Sequence, residues 1–112
     1  MLDGKIALIT GGARGIGREI SKKFSEANAR VAINYNKSRD EAIELKNNIK
    51  GAEVFQADIS NRDEVSRMIE DISDRLGEIE ILINNAGVIY NKVFEDFVEE
   101  EIRNMFDVNY FG

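Results

Sequence analysis

The chain has 112 residues, 43% of them hydrophobic, which suffices for one modest core and a single domain. Its formal net charge of −6 disfavours nucleic acid and anionic membranes as partners. The sequence contains neither Cys nor His, which excludes a disulfide framework and a thiolate zinc site and leaves acid–base chemistry to carboxylates, Lys or Tyr.

Short apolar runs alternate with helical patterns along the chain. They predict strands at about 5–10, 30–35, 52–57 and 80–84, with a helix after each. Such alternation indicates the α/β class, with a doubly wound parallel sheet in strand order 3-2-1-4 and helices on both faces. No basic leader or long apolar segment opens the chain, so we expect a cytoplasmic protein.

Two helices show a clear apolar face. The residues expected to be buried are Ile16, Ile20, Phe24 and Ala27 on the first helix, and Val65, Met68, Ile69, Ile72 and Leu76 on the third. Ser38, Ser60 and Asp96 each precede an acidic residue by three positions, a pattern that resembles a capping box. These three residues are therefore predicted to begin the second, third and fourth helices.

A glycine-rich segment, TGGARGIG at residues 10–17, follows the first predicted strand and opens the first helix. Glycine permits positive φ and close backbone approach, and a helix N-terminus attracts an anion, so this segment predicts a phosphate cradle. The alternative is a tight turn that uses glycine only for its conformation. The spacing is not that of a P-loop, which disfavours nucleoside triphosphate hydrolysis. The candidate phosphate-binding residues are Gly11, Gly12, Ala13, Arg14, Gly15, Ile16 and Gly17.

Together with Asp58 after the third strand and NNAG at residues 84–87 after the fourth, this segment resembles the short-chain dehydrogenase/reductase family, in particular its 3-oxoacyl-acyl carrier protein reductases. The resemblance covers nearly the whole chain and implies a Rossmann-type fold that binds a nicotinamide dinucleotide. It implies adenine contacts for Asp58 and Ile59, a sheet-stabilising role for Asn84, and contacts to the nicotinamide-side ribose for the residues Asn85, Ala86 and Gly87. The alternative for Asp58 is a turn or cap residue beside Ser60.

The end of the second strand bears on the choice of cofactor. A carboxylate there would bind the ribose hydroxyls of NAD, but the sequence reads Asn34, Tyr35 and Asn36. The basic and polar residues Arg14, Lys37, Ser38 and Arg39 are instead available to a 2′-phosphate, which favours NADP over NAD. Alternatively, Lys37 and Arg39 are solvated charges and Ser38 caps a helix. Asn34, Lys37 and Ser38 join the candidate cofactor residues.

The family protonates its substrate with a Tyr followed four residues later by a Lys, assisted by Ser and Asn. Here Tyr35 is followed at that spacing by Arg39 and Tyr90 by Phe94, and Tyr110 is too near the chain end. Asn109 matches the family's catalytic Asn, and the alternative is an ordinary Asn at a helix kink. The helical pattern of Ile102, Met105, Phe106 and Tyr110 still runs at Gly112, a poor place to end a domain.

We therefore expect residues 1–112 to form one dinucleotide-binding domain truncated at its C-terminus. A fifth strand is expected to be missing, which would leave the fourth as an apolar edge and promote self-association or homo-oligomers. Two hypotheses follow. The first is the cofactor half of an NADP-dependent oxidoreductase acting on a small carbonyl or alcohol, with the remaining residues absent or supplied by another chain. The second is a noncatalytic dinucleotide-binding or purely structural half-domain.

Overall fold

A computed structural model describes residues 1–85 and 109–111 of the chain. Strands and helices alternate, as the sequence predicts. The elements are β1 (Ile6–Thr10), α1 (Gly15–Glu26), β2 (Arg30–Tyr35), α2 (Arg39–Asn48), β3 (Ala52–Gln56), α3 (Arg62–Arg75), β4 (Ile81–Asn84) and β5 (Asn109–Phe111).

The strands form one sheet in the order β3-β2-β1-β4-β5, and every neighbouring pair is parallel. The predicted order 3-2-1-4 is confirmed. In the central strand β1, Leu8 lies between Ala32 of β2 and Leu82 of β4, and Thr10 lies opposite Asn84. The register brings the carboxyl ends of β1, β2 and β4 to one edge of the sheet.

Two expectations at the end of the chain are wrong. The sheet does not stop at β4, because Asn109–Phe111 pairs with Ile81–Ile83, and Tyr110 therefore lies in a strand rather than in a helix. The physical reason is that an uncovered strand exposes a row of N–H and C=O groups, which a neighbouring strand satisfies. Tyr and Phe also favour extended backbone. The fourth helix predicted after Asp96 lies outside the described residues.

Helices cover both faces of the sheet. Ile6 and Leu8 pack in a cluster with the apolar residues of α3, whereas Ile9 belongs to a second cluster with Ala42 and Leu45 of α2. Successive residues of a strand point to opposite faces, so β1 is buried along its whole length. The predicted apolar face of α3 is confirmed, since Val65, Met68, Ile69, Ile72 and Leu76 are all buried.

Helix α1 packs differently from its prediction. Ile20 and Phe24 are only partly buried and Ile16 is 73% exposed, whereas the buried positions are Gly17, Ser21 and Ser25. The helix approaches the glycine turn so closely that only small residues fit its contact face. The Ser21 hydroxyl lies 2.9 Å from the Gly17 carbonyl oxygen and 3.1 Å from that of Gly12.

The helix ends are set by local hydrogen bonds. Ser38 precedes α2 as predicted, but its side chain makes no capping hydrogen bond within the described part of the chain. The cap of α3 is Asn61 rather than Ser60, since its Oδ1 accepts from the N–H groups of Asp63 and Glu64. The sequence pattern was off by one residue because Ser60 turns back to Asp58.

The C-terminus of α1 ends in a Schellman motif. Asn28 has a φ of +69°, its N–H donates to the carbonyl oxygen of Ser25, and the Ala29 N–H donates to that of Phe24. This left-handed residue turns the chain into β2.

Candidate functional site

The glycines after β1 fall into two groups. Gly11 and Gly15 have φ values of +60° and +55°, a conformation that glycine adopts without strain. A Cβ on Gly17 would overlap the Gly11 carbonyl oxygen and lie 2.5 Å from Asn85 Nδ2, and one on Gly12 would lie 3.0 Å from the Ile9 carbonyl oxygen. A Cβ on Gly15 would meet nothing within 4 Å. Gly12 and Gly17 thus allow close packing, whereas Gly15 faces open space.

The N-terminus of α1 is unlike those of the other two described helices. Its N-cap is Arg14, whose side chain makes no capping hydrogen bond among the described residues, and its first turn holds no acidic residue. By contrast, the first turns of α2 and α3 each contain two carboxylates. The first N–H groups of a helix lack intrahelical partners and carry a partial positive charge, so this end of α1 is suited to an anion.

A polar network joins β4 to the glycine turn. The Thr10 hydroxyl donates to Asn84 Oδ1 over 3.1 Å and accepts from the Asn85 N–H over 2.9 Å. The Asn85 Nδ2 group donates to the carbonyl oxygen of Gly11 over 3.2 Å. Asn84 is 4% exposed and links β1 to β4, which agrees with the sheet-stabilising role expected of it. The support that Asn85 gives Gly11 was missed at the sequence level, although the strand register could have placed the two residues together.

Asn34, near the end of β2, is buried as well. Its Oδ1 accepts from the Gly11 N–H over 3.2 Å, and its Nδ2 donates to the carbonyl oxygens of Phe55 and Ala57. The sequence interpretation placed Asn34 among the cofactor contacts. In the structure Asn34 borders the site, but the residue is only 2% exposed and its side-chain polar atoms bind backbone groups.

An open groove of about 530 Å³ runs along the carboxyl edge of the sheet. It brings the glycine turn, the end of β2 and Asn85 together, as the sequence predicts. Its lining includes two residues that were not proposed as contacts, Tyr35 and Asn36, and Gln56 Nε2 donates to Asn36 Oδ1 over 3.1 Å. The lining residues are Gly11, Ala13, Arg14, Gly15, Asn34, Tyr35, Asn36, Lys37, Ser38 and Asn85.

The charged side chains at this groove are cationic. Arg14 and Lys37 are both exposed along it, and Ser38 is half-buried beside them. The groove lining contains no carboxylate among the residues that the structure describes. A local positive field therefore exists on a chain whose net charge is −6.

Asp58 and Ile59 follow β3 outside the groove lining. The Asp58 Oδ1 atom accepts from the Ser60 hydroxyl over 2.7 Å and from the Ser60 N–H over 2.9 Å. These bonds, with a smaller contribution from the charge of Lys37, hold the pKa of Asp58 below its ordinary value. The turn role considered for Asp58 is therefore present, and no hydrogen bond from a described residue reaches its second carboxylate oxygen. Ile59 is 8% exposed and belongs to the core cluster with α3.

Three further candidates were predicted after β4. Ala86 and Gly87 lie outside the described residues. Asn109 begins β5 opposite Ile81, three residues before the Asn84 end of β4. At a rise of about 3.3 Å per residue, this places the backbone of Asn109 roughly 10 Å from the carboxyl edge of the sheet. A catalytic role for Asn109 stays a prediction.

Within residues 1–85 and 109–111, no cluster of three or more acidic side chains could hold a metal ion. The same residues contain no helix with the length and apolar character needed to cross a bilayer.

Comparisons with known proteins agree with this geometry. The short chain dehydrogenase family model matches residues 5–112. A 3-oxoacyl-acyl-carrier-protein reductase, FabG, from Staphylococcus epidermidis is 38% identical over 96% of this chain and 46% of its own length. The chain thus spans about half the length of the curated relatives it matches.

Solved structures show the same fold. A short chain dehydrogenase from Bacillus anthracis superposes with a TM-score of 0.86 at 24% identity, covering 98% of this chain and 55% of that protein. An actinorhodin polyketide ketoreductase solved with NADPH superposes with a TM-score of 0.68 at 27% identity, covering 75% of this chain and 33% of that protein. The Rossmann-type doubly wound sheet expected from the sequence is confirmed.

Proposed function

Because the chain belongs to the short-chain dehydrogenase family, we propose that it is the cofactor-binding part of an NADP-dependent oxidoreductase. The reaction would be hydride transfer between the nicotinamide and a small carbonyl or alcohol substrate. The observation that carries the proposal is the groove, where the N-terminus of α1 lies beside Arg14 and Lys37. Among the residues that the structure describes, no side chain caps this helix and no carboxylate lines the groove.

The residues present fit a dinucleotide. The open space at Gly15 and the N–H groups of the first turn of α1 suit a pyrophosphate. Arg14, Lys37 and Ser38 offer charge and hydrogen-bond donors to a 2′-phosphate, and Asp58 keeps an acceptor for the adenine amine. One structural neighbour was solved with NADPH, which supports this choice of cofactor.

In this proposal the chain binds and orients the cofactor. The bound nicotinamide supplies or accepts the hydride, and Asn85, Ala86 and Gly87 position its ribose. The turn between β1 and α1 would position the phosphates, because Asn34 binds the N–H of Gly11 and Asn85 binds its carbonyl oxygen, while Thr10 binds the Asn85 N–H. This preorganisation lowers the entropic cost of binding.

Protonation of the product alkoxide needs a further acid. None of the three tyrosines in this sequence is followed four residues later by a Lys. We propose that Asn109 contributes to the catalytic group and that its partners lie outside these 112 residues, so that this chain alone binds the cofactor but turns over no substrate. The alternative, a noncatalytic or purely structural half-domain, is favoured by the same missing pair. A cytoplasmic location and self-association stay predictions.

Calorimetry with NADPH and NADH tests the proposal. We compare wild type, Arg14→Ala, Lys37→Ala and Arg67→Ala, the last being an exposed Arg on α3 that serves as a charge-matched control away from the groove. NADPH should bind at least tenfold more tightly than NADH, and Arg14→Ala should reduce that preference while Arg67→Ala leaves it unchanged.

Other outcomes contradict the proposal in different ways. Equal affinity for NADPH and NADH, or an equal loss for both in Arg14→Ala, overturns the 2′-phosphate assignment. Absence of binding to either dinucleotide, in a chain that is folded by circular dichroism, supports a purely structural half-domain.

A further inference from the structure

The side chain of Asn34 bridges two backbone segments that follow different strands. Its Oδ1 accepts from Gly11, the first residue after β1, and its Nδ2 donates over 3.1 Å to the carbonyl oxygen of Ala57, directly before Asp58. The backbone carbonyl of Asn34 accepts the Gly12 N–H over 3.0 Å. One residue of β2 therefore holds two consecutive N–H groups of the glycine turn and the start of the β3–α3 loop.

Burial alone does not explain why position 34 holds an amide side chain. The three residues before it in β2 are Val31, Ala32 and Ile33, all fully buried and apolar. An apolar side chain at position 34 would need no partners, whereas a buried amide is costly unless its donors and acceptor are satisfied. The amide of Asn34 meets that requirement only while both backbone segments keep their present positions.

We infer that Asn34 is a positioning residue, which fixes the glycine turn relative to the Asp58 loop and acts through Gly11 and Ala57 rather than by touching the dinucleotide. The functional part of this inference rests on the proposed function, in which the glycine turn holds the pyrophosphate and Asp58 the adenine. The affinity for a ligand that contacts both segments then depends on the distance between them. The affinity for a ligand that contacts only one segment does not.

Asn34→Leu keeps the branching of the side chain but removes its hydrogen bonds to Gly11, Phe55 and Ala57. Asn34→Ser shortens the side chain with a smaller change in polarity and serves if the first variant folds poorly. Ser25→Ala is the matched control. The Ser25 hydroxyl is also buried and bonds both the N–H and the carbonyl of Lys50. Lys50 precedes β3, so this pair lies at the opposite end of the strand from Ala57.

The first experiment is carried out without cofactor. Amide exchange measured by NMR should show the Gly11 N–H exchanging at least tenfold faster in the Asn34 variant than in wild type, relative to the core amide of Leu8. In Ser25→Ala the same ratio should stay within twofold. An unchanged Gly11 ratio in a folded Asn34 variant overturns the inference.

The second readout separates positioning from direct contact. By calorimetry, the Asn34 variant should bind NADPH at least tenfold more weakly, while its affinity for adenosine, which carries no phosphate and would reach only the Asp58 loop, stays within threefold of wild type. Equal losses for both ligands indicate direct contact and overturn the inference. If wild type binds no dinucleotide, the proposed function fails, and the exchange experiment still decides whether Asn34 positions the two segments.

Discussion

The Asn85 side chain donates a 3.2 Å hydrogen bond to the carbonyl oxygen of Gly11, joining the end of β4 to the turn after β1. The N–H of Gly11 is held by Asn34 from β2. Two amide side chains from different strands thus fix both polar groups of one glycine, at a φ of +60°. The turn conformation depends on the sheet order, because only β2 and β4 flank β1.

Asn85→Ala tests this support. Loss of one half-buried hydrogen bond should lower the free energy of unfolding by about 1 kcal/mol, measured by urea denaturation. It should also weaken dinucleotide binding in calorimetry, because the turn loses one of its anchors. Asn47→Ala on the exposed face of α2 is the control and should leave binding unchanged. Wild-type stability and affinity in Asn85→Ala would contradict the anchoring role.

Gly17→Ala and Gly15→Ala should differ in how much stability and how much dinucleotide affinity each loses. A Cβ at Gly17 overlaps the Gly11 carbonyl oxygen, so we expect a loss of about 1–3 kcal/mol in the free energy of unfolding. A Cβ at Gly15 meets no atom within 4 Å but sits at a φ of +55°, which costs about 1 kcal/mol. The Cβ of Gly15→Ala would enter the groove. For the same loss in the free energy of unfolding, Gly15→Ala should therefore lose more dinucleotide affinity than Gly17→Ala. The reverse ranking would show that the two glycines have been assigned the wrong roles.

The stability contributed by Asp58 should depend on pH. Its pKa is lowered in the folded state, chiefly by the hydrogen bond from the Ser60 hydroxyl and then by that from the Ser60 N–H. A depressed pKa means stabilisation that is complete above the unfolded value of about 3.9 and is lost as the pH falls through the folded value. Wild type should therefore be more stable than Asp58→Asn at neutral pH, and the difference should shrink below pH 4.

Urea denaturation of both chains between pH 7 and pH 2.5 measures this difference, and the other carboxylates cancel because both chains share them. Asp63→Asn, at the first turn of α3, is the control for loss of one negative charge. A constant difference between wild type and Asp58→Asn across this range would rule out the expected linkage.

Asn28→Gly should stabilise the protein. Asn28 ends α1 at a φ of +69°, where glycine carries no Cβ penalty. We expect a gain of about 0.5–1 kcal/mol in the free energy of unfolding, reduced by the greater entropy of glycine in the unfolded chain. The same substitution at Asn47, in the last turn of α2, should destabilise by roughly a few tenths of a kcal/mol, the difference between the helix propensities of Asn and Gly. Losses at both positions would show that the entropy term dominates at Asn28.

The sequence predicted the element order as far as β4, the sheet order 3-2-1-4 and the place of the groove. Strand and helix periodicities are local properties of the sequence, so they can be recognised without the tertiary structure. The glycine turn follows β1 directly and therefore lies at the carboxyl edge of the sheet. The grouping of Arg14, Lys37 and Ser38 around one groove followed from the same rule.

Tertiary structure alone decided which partner each polar side chain takes. Asn34 turned inward to Gly11 and Ala57, Ser60 turned to Asp58 and left the cap of α3 to Asn61, and Ile16 stayed exposed. Residues 109–111 became a strand because β4 had an edge to pair with. These contacts join groups that are far apart in the sequence. The groups become neighbours, and can satisfy one another's hydrogen bonds, only when the strands lie side by side in the sheet.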